Sequence, residues 1–338
     1  MRYLRDLPDD VSHSVRTRFM AEFATVTAAG VPINTPLVVF ASGDQTTIDA
    51  GTGLAYPAKA ERARRNPKVG LLFEGAPDEP IVSMAGIAAV RDADLQSNLE
   101  RYLSEQILAP YLNPERVDYT VTREAIWYFT RVLVCVAPAH IRWWKRRADL
   151  DRPPQEWHAP DEAAYPTSDP APPGKPSEGM WTAGPWRELA QGALARRAPA
   201  HLTLLDRDRF PIPIRVRTAT LNATGFDLEV PRGAPWSRGV ASLSFEGVEN
   251  FVGDVEVAVG RGAMRVERAL PVLPMMADVS EVLRPKEATR SALMSRLDYE
   301  LQRRGKQLPV MPATAPTPTA GARLRAQVAE AYQGLSNM

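Results

Sequence analysis

The sequence predicts a mainly β chain of the α+β class, with two β domains that share one strand rhythm, pack against each other and are followed by a helical C-terminal tail. Three observations predict it. Residues 20–92 read as short apolar strands separated by turn residues. The same rhythm returns after residue 195 with matching short motifs in the same order. From Lys286 to Arg304 the apolar residues Leu293, Leu297 and Leu301 recur at helical spacing.

The elements follow in order. Phe23–Thr27 alternates as a strand, Ala28-Ala29-Gly30 turns, and Pro36–Phe40 forms the next strand. Gly43-Asp44 turns into Thr46-Thr47-Ile48, and Asp49-Ala50-Gly51-Thr52-Gly53 ends that strand in small and polar residues. Lys59–Asn66 reads as a short basic helix, with Pro57 suited to its first turn and Asn66-Pro67 ending it. Val69–Phe73 and Ile81–Val90 are buried strands, and Asp94–Leu108 is a helix with Leu95, Leu99, Leu103 and Ile107 on one face. Ile126–Val136 and Ile141–Trp144 are expected as closing strands, with one of Trp143 and Trp144 inside and the other outside. Cys135, among Leu133, Val134 and Val136, reads as a small core residue.

Residues 149–185 are crowded with prolines and poor in aliphatic side chains, so they read as a linker, pinned to a domain surface by Trp157, Trp181 and Trp186. The second copy follows. His201–Leu205 matches the first strand, Arg209-Phe210-Pro211-Ile212 matches Gly30-Val31-Pro32-Ile33, and Leu243–Gly247 matches Leu71–Gly75. Phe251–Val259 matches Val82–Val90 loosely. The offset is 179 between Pro32 and Pro211 but 172 between Phe73 and Phe245, so the second copy has lost residues where Lys59–Pro67 stands in the first. The expected domains are therefore 1–148, linker 149–185, 186–283, and a tail over 284–338 in which Ala322–Leu335 is a final helix.

Bulk numbers exclude several classes. A net charge of +1 argues against general nucleic-acid or membrane-surface binding. No apolar run reaches the roughly 20 residues of a membrane span. The charged start Met1–Asp6 lacks a signal-peptide core, and the single cysteine excludes an internal disulfide, so a soluble cytoplasmic chain is expected. No phosphate-binding P-loop, dinucleotide fingerprint, zinc-protease helix or nucleophile elbow occurs. His13, His140, His158 and His201 are scattered, with His140 and His201 read as structural.

The stretch that carries chemistry is residues 49–67. Lys59 and Arg62 are three apart and share a helix face, the first helical turn offers free N–H groups, and Thr52 adds a hydroxyl just upstream. Such a set can hold a phosphate through charge-assisted hydrogen bonds, each contributing about 1.5–3 kcal/mol. Read from the residues alone, the same helix also fits a plain solvated surface.

The order of turn, Pro36, Gly51-Thr52-Gly53, Lys59 helix, Asn66-Pro67 and Val69–Phe73 resembles the pyridoxamine-phosphate-oxidase-like split-barrel family of FMN- and F420-binding proteins. The resemblance covers residues 20–145 well and 195–270 weakly. It implies two split β-barrels packed as an internal pseudo-dimer, monomeric or as a homodimer, acting on a small molecule. It also implies that Thr52 and Lys59 contact a cofactor phosphate, with Arg62, Arg64 and Arg65 as additions and Asn34, Thr35, Pro36, Leu37 and Val38 lining the ring. From the second copy, Arg215, Arg217 or Trp236 would cover that ring. The sequence departs from the family pattern at Pro57, where a serine is common, and in lacking a lysine helix in the second copy. The resemblance points to a flavin-type oxidoreductase with FMN, or alternatively F420, and haem as a weaker candidate. Its catalytic residues, substrate and electron donor are not legible. A non-catalytic flavin- or haem-binding module and a structural barrel pair are the alternatives.

Overall fold

The structure, a computed structural model, describes residues 3–105, 119–179, 181–235, 238–245, 248–271 and 283–336, without side chains beyond 328. Six antiparallel strands close a barrel in the order β3(Ile48–Gly53), β2(Pro32–Ala41), β1(Met20–Val26), β4(Lys68–Phe73), β5(Ile81–Arg91) and β6(Arg131–Trp144), with β6 returning to β3. β7(Gln155–His158) adds to the free side of β6. Phe23, Leu37, Val39, Ala50, Leu71, Met84 and Val134 are buried in one core with residues of the surrounding helices. Around the barrel pack α1(Asp9–Thr17), α2(Ala58–Arg65), α3(Leu95–Ser104), α4(Tyr119–Glu124) and α5(Ile126–Phe129). The segment expected as one strand from Ile126 is thus a helical turn followed by a strand. Thr130 ends the turn, its hydroxyl and N–H both donating to the Ile126 carbonyl.

The second sheet is a curled half-barrel preceded by α6(Trp186–Ala195). Its order is β10(Thr218–Leu221), β11(Gly225–Glu229), β14(Arg261–Ala269), β13(Glu249–Ala258), β12(Arg238–Phe245), β8(Ala200–Leu205) and β9(Pro211–Val216). From β11 to β9 this is the cyclic order of the first barrel, cut at one pairing: β2 bonds β3, whereas β9 does not bond β11. The repeat is physical in its details. Phe23 stands opposite Leu71, and Leu202 opposite Leu243, residues related by the offsets 179 and 172. In the first hairpin loop the Thr27 N–H donates to the Val31 carbonyl and the Gly30 N–H to the Thr27 carbonyl; Asp206, Phe210 and Arg209 repeat both bonds. Gly30 and Arg209 both adopt positive φ there, +78° and +67°, natural for glycine and costly for arginine.

One match shifts. Phe251 pairs with Leu243 as Met84, not Val82, pairs with Leu71. A slip of two residues keeps every side chain on its own face, so the apolar pattern cannot detect it.

The outer face of β1, β2, β4 and β5 packs on β8, β9 and β12. At Gly70 the strands come so close that an added Cβ would overlap the Pro211 carbonyl. Trp143 and Trp144 are both buried, Trp143 in the first core and Trp144 in the second. The expected outside tryptophan is therefore covered by the other domain. The proline-rich segment carries β7, and Trp157 and Trp181 pack against the first core. α7(Glu287–Arg304) lies over the first barrel, with Leu293, Leu297 and Leu301 buried in its core, and α8(Ala320–Ser336) follows. No helix among the described residues is long and apolar enough to cross a membrane.

Candidate functional site

α2 lies against the barrel because its alanines fit there. Ala60 and Ala63 are buried, and the helix packs on β1, β5 and β6. Lys59 and Arg62, three apart, stand together beside this contact. The Lys59 amine makes no hydrogen bond or ion pair among the described residues. Desolvation, reinforced by Arg62 and Arg131, pushes it down to about 7. Burial and Arg65 push Arg62 down to about 10, and its Nε donates to Thr25 Oγ1 at 2.8 Å.

The third cation of this group is Arg131, the first residue of β6 and 3% exposed. It opposes Gly53 across the β3–β6 ladder. Its guanidinium lies 3.8 Å from the Tyr128 ring centroid and 4.6 Å from that of Tyr102. Nη1 donates to the Tyr56 hydroxyl at 3.3 Å, while Nε and Nη2 are buried and make no hydrogen bond among the described residues. Glycines admit these rings: a Cβ at Gly51 would strike Tyr102, and one at Gly53 would strike Tyr56. No carboxylate pairs with Lys59 or Arg131 among the described residues. Each unmet buried donor costs about 1–3 kcal/mol, more when charged, and an anion is the ligand that relieves it.

Sequence reading passed over Arg131 because it falls inside a segment read as one strand. The signal present was a lone charge opening the apolar run Val132–Val136. Tyr56, Tyr102 and Tyr128 come from three separate segments, and only the fold gathers them.

The other expected site residues are dispersed. Thr52 is buried, and its hydroxyl has no partner among the described residues. It opposes Val132, so the pleat turns it to the other side of the ladder from Gly53 and Arg131. Arg64 turns away from Lys59 to Asp92, at 2.7 Å, and to the Asp169 carbonyl. It belongs to an ion cluster in which Arg303 and Arg304 of α7 meet Glu61, Asp92 and Glu300. Arg65 is exposed.

On β2 the pleat separates Asn34, Pro36 and Val38 from Thr35 and Leu37. The five residues therefore do not share one face. Asn34 donates to Glu22 at 2.8 Å and to Ser244 at 2.9 Å, and its carbonyl accepts from Asn250, so it ties the two barrels together. Leu37 is buried in the core, and the Thr35 hydroxyl is buried without a partner among the described residues.

Arg215 does not reach the Lys59 group. It donates to Glu74 at 2.9 Å, beside His201, whose Nε2 is 2.8 Å from the same carboxylate oxygen and whose Nδ1 is 3.3 Å from Glu22. His201 is thus a buried bridge between the barrels. Against burial, Glu74 and Glu22 raise it to about 10, and His201 and Arg215 hold Glu74 down to about 2. Arg217 pairs with Asp151 at the surface. Trp236 lies outside the described residues. Burial of its thiol, helped by Asp49, pushes Cys135 well up and leaves it unreactive, but the residue is half-buried rather than the core residue expected.

No family model and no curated protein matches the chain. Several solved structures are similar. A putative pyridoxamine 5'-phosphate oxidase from Listeria innocua is 18% identical over 40% of this chain and 97% of its own, with a TM-score of 0.29. A pyridoxamine 5'-phosphate oxidase-related, FMN-binding protein from Nostoc punctiforme PCC 73102 is 18% identical over 46% of this chain and 94% of its own, with a TM-score of 0.33. An F420 reductase is 17% identical over 41% of this chain and 100% of its own, with a TM-score of 0.30. Each match spans less than half of this chain, and at these scores the likeness decides nothing about its chemistry.

Proposed function

We propose that the chain binds a phosphate-bearing flavin-type cofactor and acts as an oxidoreductase on a small molecule, with FMN as the first candidate and F420 as the second. The observation that carries this reading is the anion-shaped deficit at the edge of the first barrel. Among the described residues Lys59 has no counter-ion, Arg131 has two buried donors unused, and Arg62 stands beside them. A phosphate fits this donor set in charge and in hydrogen-bonding capacity. Lys59 and Arg131 would hold it, with Arg62 adding positive potential while its Nε stays on Thr25. Tyr56, Tyr102 and Tyr128 fix the Arg131 guanidinium, so little ordering is left to be done on binding.

When bound, such a cofactor supplies hydride chemistry, which asks the protein mainly for anchoring, orientation and a dry pocket. The second half-barrel offers no equivalent of Lys59, so one site per chain is expected. Absorbance titration of the purified protein with FMN, F420 and haem in separate cells tests the reading. Saturable uptake of FMN or F420, lost in Lys59→Ala, supports it. Uptake of neither rejects it. Reduction of the bound cofactor by NAD(P)H then separates an enzyme from a carrier or sensor.

A further inference from the structure

A second polar cluster lies on the β6–β7 ladder, where cross-strand register sets His140 opposite His158 and Arg142 opposite Glu156. The period of two puts all four side chains on one face. The imidazoles stack with centroids 3.9 Å apart and planes 16° from parallel. Glu156 divides its two oxygens. Oε1 accepts from Arg142 Nε at 3.1 Å, while Oε2 points at both rings, 3.8 Å from His140 Nε2 and 3.7 Å from His158 Nε2. Those two separations are too long for hydrogen bonds. His140 Nε2 is buried and makes none among the described residues. Three donor atoms, His140 Nε2, His158 Nε2 and a Glu156 oxygen, thus lie within 4.8 Å of one another.

We propose that His140, Glu156 and His158 form a binding site for a divalent transition metal of the zinc class. Two imidazoles and a carboxylate are a zinc ligand set, and tetrahedral ligation at about 2.0–2.2 Å sets donor atoms about 3.3–3.5 Å apart. The Glu156 carboxylate is already 3.7 and 3.8 Å from the two rings, and joint ligation needs the exposed His158 ring to turn out of its stack on the half-buried His140 so that both in-plane lone pairs meet the ion. Arg142 positions the carboxylate by occupying its other oxygen, and its charge opposes that of the ion. Glu156 and His158 are exposed, which leaves a coordination position open to water. An ion here clips β7, the edge strand that begins the proline-rich crossing, onto the barrel. The site is independent of the cofactor reading, since it uses none of the same residues.

The test is Zn²⁺ titration of the untagged full chain against a colorimetric chelator, with melting followed in parallel. The expected result is one Zn²⁺ per chain at micromolar Kd and a melting temperature raised by Zn²⁺. His158→Ala, a change at an exposed residue, weakens binding at least tenfold and abolishes the thermal shift. Glu156→Gln weakens binding as well, and His13→Ala leaves it unchanged. Affinity equal to wild type in His158→Ala, or no binding tighter than millimolar in the wild type, overturns the proposal.

Discussion

Burial, reinforced by Arg62 and Arg131, pushes Lys59 down to about 7, and no anion stands beside it among the described residues. A phosphate seated on Lys59 and Arg131 supplies the missing countercharge and moves the amine from about 7 back toward its ordinary 10.5. Binding then takes up a proton wherever free Lys59 is neutral. If the shift is fully reversed, linkage makes the apparent Kd for the phosphate form rise about 50-fold between about pH 7 and pH 9. Lys59 keeps part of its surface in water, which weakens the coupling, so the expected minimum is about tenfold. The assay is fluorescence titration of FMN across that range beside riboflavin, which has the same ring and no phosphate. Titration of the ring appears in both ligands, whereas the Lys59 effect appears in FMN alone. Lys59→Met should weaken FMN binding and flatten its pH dependence. An FMN Kd that stays constant in the wild type, or a slope that survives in Lys59→Met, refutes the phosphate-anchor reasoning.

Other predictions follow from the same geometry. Arg131→Met should lower FMN affinity at least tenfold (about 1.4 kcal/mol) and also flatten the pH slope, because Lys59 loses a neighbouring cation; unchanged affinity in urea-stable protein counts against the cluster. His201 is raised, so its contribution to stability is full below about 6.5 and is lost as pH rises through about 10. Glu74 is lowered, so its contribution is present above about 4.5 and is lost as pH falls through about 2. His201→Gln should therefore cost about 3 kcal/mol near pH 6 in urea unfolding, a deficit that shrinks toward pH 10. Both proteins carry Lys59, so its opposite slope cancels in that difference. Gly70→Ala should lower stability by at least about 2 kcal/mol, because its methyl group meets the Pro211 backbone rather than a movable side chain. An unchanged urea midpoint would mean that the two barrels are not packed as closely as Gly70 and Pro211 place them.

The sequence by itself determined most of the strand segments and their apolar faces. Period-two patterning and turn residues marked the strands, and the shared motifs marked the repeat down to the matched loops at Gly30 and Arg209. These are local signals, carried by neighbours in the chain. It also marked Lys59 and Arg62 as a cationic pair on one helical turn, since that spacing depends only on helix geometry. Only the tertiary structure decided what those cations face. Arg131 reaches Lys59 by barrel closure between β3 and β6, and that closure is long-range. Arg64, two residues from Arg62, is drawn off by Asp92 and the α7 cluster, which no local pattern announces. Asn34 and Arg215 serve the seam between the barrels rather than the Lys59 group, because the half-barrel sets Ser244, Asn250 and His201 against them. A charged side chain's role depends on which opposite charge comes within a few ångströms, and that is fixed by packing across the whole chain.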